Sequence, residues 1–229
     1  MDLVAALEAV LAEHGEPDAL GTPPARGRFR PAGSLLVRDE VMLRPFEGWG
    51  EWLTFDELRP GRYDAYLAHA RPAADEPSIV TAVALVAPHA TAETIAGADY
   101  AERCDDATMQ GETLSAVTGC AADLGLRRFA EDFAVETAAV RAAAEQKYAG
   151  ADPAYVEQAV TDHLEAELRN LLDAQEARGN PAPVLDLTLD RDGANALVFR
   201  VNSLGCQSIL LGTDAGGEAV CLLWSVFDD

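Results

Sequence analysis

The sequence predicts an α+β fold: an antiparallel sheet, as a sandwich or half-barrel, made from N- and C-terminal strands with a helical insertion packed on one side. Three observations predict it. Short apolar or alternating runs fill residues 34 to 87 and return from 184 to 227. Between them, residues 121 to 178 place their apolar side chains at helical spacing. The chain has 229 residues, 49% of them hydrophobic and 24% charged, enough for a core that needs no disulfide or metal staple.

Taken in order, residues 1–16 predict an amphipathic helix, because Leu3, Val4, Leu7, Val10 and Leu11 share one face and His14-Gly15 is a stop signal. Asp2, Glu8, Glu13 and Glu16 replace the basic start of a signal peptide, so none is expected. Residues 17–33, rich in Pro and Gly and locally basic at Arg26, Arg28 and Arg30, predict a loop. The remainder, 34–229, predicts a single α+β domain with its insert at 121–180. Strands are expected near 34–38, 41–44, 51–55, 62–70 and 78–87. In "GRYDAYLAHA", Tyr63, Ala65, Leu67 and His69 alternate with Arg62, Asp64, Tyr66 and Ala68, the period of a strand. In the insert, "GADPAYVEQ" opens a long helix with Asp152 as N-cap and Pro153 in the first turn. Val156, Val160, Leu164, Leu168, Leu171 and Leu172 make its buried stripe, and Gly179 is its left-handed cap. Four strands close the chain: "VLDLTLD", "ALVFRVNS", "SILLGTD" and "EAVCLLWSVF". The bend around Ser203, Gly205 and Cys206 is expected to be a hairpin within one sheet.

The formal charge of −22 is the unusual global property. Residues 73 to 180 hold 20 acids against 7 bases, or −13, so the excess lies mid-chain. Such a field repels nucleic acid and anionic lipid and attracts basic proteins. There is one Lys against sixteen Arg, a bias that genome composition or salt adaptation would also produce. No apolar run reaches the roughly 18 to 20 residues of a membrane span. The 4 Cys, at 104, 120, 206 and 221, include no C-x-x-C pair, which favours reduced thiols in a cytoplasmic protein.

Three stretches carry a resemblance: "PGRYDAYLA" at 60–68, "TGCAAD" at 118–123, and "GANALVFRVNS" with "LLGTDAGGEAVCL" near the C-terminus. In these the chain resembles an uncharacterised bacterial family, the domain of unknown function 4241. Its members commonly show Gly-Asp-Gly and then Tyr-Pro where this chain reads Ser203-Leu204-Gly205 and Gln207-Ser208, so only Gly205 is kept. Leu204 in place of an aspartate neither coordinates a cation nor moves a proton. The resemblance implies a shared fold and transfers no activity.

Among candidate sites, Ser203 in "VNSLGC" matches half of a Gly-x-Ser-x-Gly elbow, but Val201 replaces the first glycine and a strand follows. Cys120 is the better nucleophile, since Gly119 precedes it and a helix is expected after it, with Asp123 in the first turn. His69, His89 or His163 would have to supply the base. His163 and Glu167 share a helix face at i, i+4, and Cys104 adjoins Asp105 and Asp106, but neither group completes a metal site. No phosphate-binding glycine loop is present, and no cofactor is expected.

Two functions stay open. One is a non-catalytic cytoplasmic interaction or regulatory protein, immunity- or antitoxin-like, meeting a basic protein partner through Asp105, Asp106, Glu131, Asp132, Glu165 and Glu167. The other is a thiol-dependent enzyme centred on Cys120.

Overall fold

The computed structural model describes residues 2–14, 28–45, 53–70, 77–105, 113–120, 130–131, 135–189, 192–201 and 207–225. Their strands form two antiparallel sheets. In sheet A the order is β1 (Arg28–Val37), β4 (Gly61–Ala70), β5 (Ile79–Val86), β11 (Ala219–Ser225), β10 (Gln207–Thr213), β6 (Asp99–Asp105). In sheet B it is β3 (Leu53–Phe55), β2 (Val41–Pro45), β7 (Thr113–Thr118), β9 (Asn195–Val201), β8 (Leu185–Thr188). Four helices belong to the described residues: α1 (Leu3–His14), α2 (Ala92–Ala96), α3 (Ala138–Lys147) and α4 (Ala154–Ala177).

The apolar side chains divide into three clusters, and these define four layers. Leu35, Leu43, Leu67, Val83, Leu85, Leu197, Phe199 and Trp224 fill the space between the sheets. On the outer face of sheet A, Ala68, Ala82 and Ala84 are small enough to let α1 approach closely with Leu7, Val10 and Leu11. On the outer face of sheet B, Leu114, Ala116, Ala196 and Val198 receive Val160, Leu164, Leu168 and Leu172 of α4. Each fully buried Leu or Val contributes about 1.5–3 kcal/mol. Central strands are thus covered on both faces, which is why β5 and β9 are buried at every position.

The helix ends follow local rules. Asp2 Oδ1 accepts the Ala5 N–H at 2.7 Å at the start of α1. Asp152 Oδ1 accepts the Ala154 N–H at 2.9 Å before α4. Gly179, at φ 87°, donates to the Glu176 carbonyl while Asn180 donates to the Gln175 carbonyl, the paired bonds of a left-handed helix stop.

Three expectations change. Residues 28–33 belong to β1 rather than to a loop: Pro31 is tolerated because β1 is an edge strand, and the register shifts between Pro31 and Gly33, where φ is 120°. The bend at 202–206 does not close a hairpin, because β9 lies in sheet B and β10 in sheet A; Ser203, Gly205 and Cys206 themselves lie outside the described residues. Strands β6 and β7 and helix α2 have no counterpart in the sequence reading.

The sheets are stitched along the free edge of β1. Asn195 of β9 is buried; its Oδ1 accepts the Leu36 N–H at 3.1 Å, and its Nδ2 donates to the Ser34 carbonyl and to Asp186 Oδ1, both at 2.8 Å. The Arg38 N–H is taken by the Gly119 carbonyl at 2.7 Å. Outward-facing backbone groups of an edge strand are thereby paired by the other sheet. Asn195→Ala leaves Leu36 N–H and Ser34 C=O without these partners, and urea unfolding is expected to show a loss of about 2–4 kcal/mol. Gly119→Ala should cost at least about 2 kcal/mol, because its Cβ would collide with the Leu36 carbonyl and lie 2.7 Å from Val37 Cα.

Candidate functional site

The described polar groups converge at one end of the sandwich, where β1, β4 and β5 overhang the C-terminus of α4. Arg28, Arg30, His69, Ser78, Glu176 and Asn180 line a pocket there of about 530 Å³, within the size range of small-molecule sites. The strand period places them. Arg28 and Arg30 share one face of β1 with the buried Phe29 on the other, and the register sets Arg28 opposite His69. A register shift between Ala68 and His69 then sets His69 opposite Val80 of β5.

The anchor is electrostatic. Arg200 of β9 is 2% exposed and donates to Asp173 Oδ1 at 2.5 Å, to the Arg169 carbonyl at 3.1 Å and to Glu176 Oε2 at 3.5 Å. Glu176 in turn accepts the Ser78 N–H at 3.1 and 3.3 Å. The Ser78 hydroxyl reaches the Pro181 carbonyl at 3.2 Å, the Ala70 carbonyl at 3.4 Å and His69 Nδ1 at 3.5 Å. His69 Nε2 is buried without a hydrogen-bond partner. Burial, and secondarily the Arg30 charge, push the His69 pKa down to about 4. A neutral imidazole of this kind is a poor base at pH 7, and Ser78 is buried and bonded to backbone, so the pair is not arranged as an activated nucleophile.

Cys120 is 6% exposed beyond the end of β7, where the Thr118 hydroxyl donates to its carbonyl at 3.1 Å. Asp123, Asp106 and Asp132 lie outside the described residues, as does the side chain of Asp105. The backbone of Asp105 ends edge strand β6 of sheet A. Glu131 is exposed beside α4, and Glu167 is half-buried on it. Glu165 corrects the expectation: at 2% exposure, on the side of α4 turned to sheet B, it cannot contribute to an exposed acidic surface. Glu165 therefore does not share an exposed patch with Glu131.

Sequence reasoning missed a second grouping. His89, Asp214 and Glu218 bring ligand atoms within 4.8 Å of one another. Asp214 Oδ1 already accepts the Gly216 and Glu218 N–H groups, which together with His89 hold its pKa down, and Glu218 Oε1 pairs with Arg59 at 2.5 Å. The Asp214 carboxylate thus closes the β10–β11 turn, and that of Glu218 is held by Arg59. Cys221, fully buried under α1, has its thiol pKa pushed up to about 12 by burial.

No family model matches the chain, and no curated protein or solved structure matches it. No helix among the described residues is long and apolar enough to cross a membrane.

Because the folded-state pKa of His69 lies below its ordinary value near 6.5, the unfolded chain takes up the proton first as the solution is acidified. The resulting contribution is complete above pH 6.5 and is lost as pH falls toward 4, to the extent of about 3 kcal/mol. Urea unfolding of wild type and His69→Gln at pH 7, 6 and 5 should show a steeper loss in wild type. Parallel curves would contradict the assignment.

Proposed function

We propose that this chain is a cytoplasmic interaction domain, inhibitor-like in character, whose α3–α4 layer receives a basic protein. The observation that carries this reading is the sidedness of that layer. One side of α4 is committed to sheet B through Val160, Leu164, Leu168 and Leu172. The other presents Glu157 and Asp162; Asp173 is exposed at the margin beside Arg200, Glu145 is exposed on α3, and Glu136 and Asp152 are exposed before and between the helices. The opposing cations of the two helices are Arg141, Lys147, Arg169 and, at the C-cap, Arg178, fewer than the acids; Arg141 is bound to Glu157 at 2.5 and 3.0 Å, and Arg200 of β9 draws on Asp173. Single exposed pairs of this kind are worth little, but a field of one sign speeds encounter with an oppositely charged partner. The contact set is revised from the sequence reading: Glu136, Glu145, Asp152 and Asp162 take the place of Glu165. The motif resemblance to the domain of unknown function 4241 is compatible with this reading and supplies no activity. Burial of Cys120 gives no support to the thiol-enzyme alternative.

Association with a basic probe protein, cytochrome c, tests the reading by stopped flow at low and physiological salt. Reversing Glu145, Asp152 and Asp162 to Lys should slow association roughly tenfold at low salt. The same number of reversals on α1 and α2, at Glu8, Glu13 and Glu93, should have a much smaller effect. Equal effects would reduce the matter to net charge and remove the α3–α4 face as the docking surface.

A further inference from the structure

Among its described lining residues, the pocket under β1 carries more positive than negative charge. In a chain of net charge −22, the described lining presents two guanidinium groups, Arg28 and Arg30, against one carboxylate, Glu176. That carboxylate is already engaged by the buried Arg200 and by the Ser78 N–H. The backbone carbonyls at the end of α4 are engaged as well: the Arg178 side chain takes that of Ala174 at 2.8 Å, and the Gly179 and Asn180 N–H groups take those of Glu176 and Gln175. Three of the terminal carbonyls and the Glu176 carboxylate are therefore already paired. By contrast, Arg28 and Arg30 are exposed and make no hydrogen bond or ion pair with the described residues. Strand geometry holds them two residues apart on one face, with His69 across from Arg28.

We infer that this pocket is a binding site for a small molecule bearing an oxyanion, a phosphate or carboxylate group, held between Arg28 and Arg30 beside the imidazole of His69. The chemistry follows from the donors. Guanidinium groups present paired N–H donors that match the oxygens of phosphate or carboxylate. His69 stays neutral at pH 7 because burial and Arg30 oppose its protonation, so it adds a polar ring to the site without the cost of a buried charge. The His69 Nε2 is buried without a partner, and a turn of the ring toward a bound oxyanion would give it one. At about 530 Å³ the pocket admits more than a bare ion. This site is separate from the α3–α4 face and does not depend on it.

The test uses the full-length protein with isotope-labelled histidine. The His69 ring signals are followed while inorganic phosphate, or succinate, is added in the millimolar range, against sodium chloride at matched ionic strength. A saturable change with phosphate or succinate, absent with chloride, is expected, and the more effective anion identifies the group recognised. Arg28→Ser/Arg30→Ser should weaken that response at least about tenfold. Arg62→Ser, which removes an exposed arginine elsewhere on sheet A, should leave it unchanged. Both arginines of the double variant are exposed, so its fold should persist, as near-UV circular dichroism would verify. No saturable change with either anion, or the same change in the double variant, overturns the site.

Discussion

A single buried cation organises the half of the molecule that matters most. Arg200 stands on β9, on the face of sheet B that α4 covers, where its neighbours Leu114, Ala116, Ala196 and Val198 are apolar. A charge in that position is tolerable only with partners fixed in place. Asp173, Glu176 and the Arg169 carbonyl supply them, all from the last turns of α4. Apolar packing alone would allow α4 to slide along the sheet; the guanidinium adds a positional preference. Where α4 ends then determines where Glu176 meets Ser78, and so how the floor of the Arg28–Arg30 pocket is made. Packing, electrostatics and site geometry are linked through this one side chain.

The general architecture was legible because it is written in periodicity. The helical stripe of α4 and the alternation of β4 each answer to one buried face, and both elements are found where the pattern put them. The Gly179 signal at the end of α4 depends on neighbouring backbone only, and it too is found; at the start Pro153 rather than Asp152 takes the N-cap position, with the Asp152 carboxylate bonded to the Ala154 N–H from one residue further out. What failed depends on tertiary context. β6 carries Asp99, Glu102, Arg103 and Asp105 because it is an edge strand, and such a charged stretch does not resemble a core strand. Pro31 and Gly33 suggested a loop, yet both fit an edge strand with a shifted register. The passage from β9 to β10 looked like a hairpin because strand signals flank a short bend, and no local signal separates a turn within one sheet from a crossing between two.

The candidate site was less legible. Arg28 and Arg30 stood out only as local basicity, and His69 only as one member of an alternating strand. Their meeting with Ser78 and Glu176 depends on pairing over as many as about a hundred positions, which periodicity does not report. Glu165 misled for a related reason. It follows Leu164 on the helix and lies at the margin of the apolar stripe, so sequence assigns it to solvent while packing buries it. Acidic composition does survive translation into structure as exposed acids along α3 and α4, but its grouping into a surface could be drawn only after the sheet-facing side of α4 was known.

The central claim is that Arg200 positions the end of α4 against the sheets. Amide hydrogen exchange of Arg200→Met, compared with wild type, tests it most directly, with Val83 in the interior of β5 as the internal reference. The account predicts that exchange at Ser78 and along the last turns of α4 accelerates roughly tenfold or more relative to Val83, because Glu176 loses the cation that holds it beneath Ser78. Unchanged protection at Ser78 and at the end of α4 would contradict it.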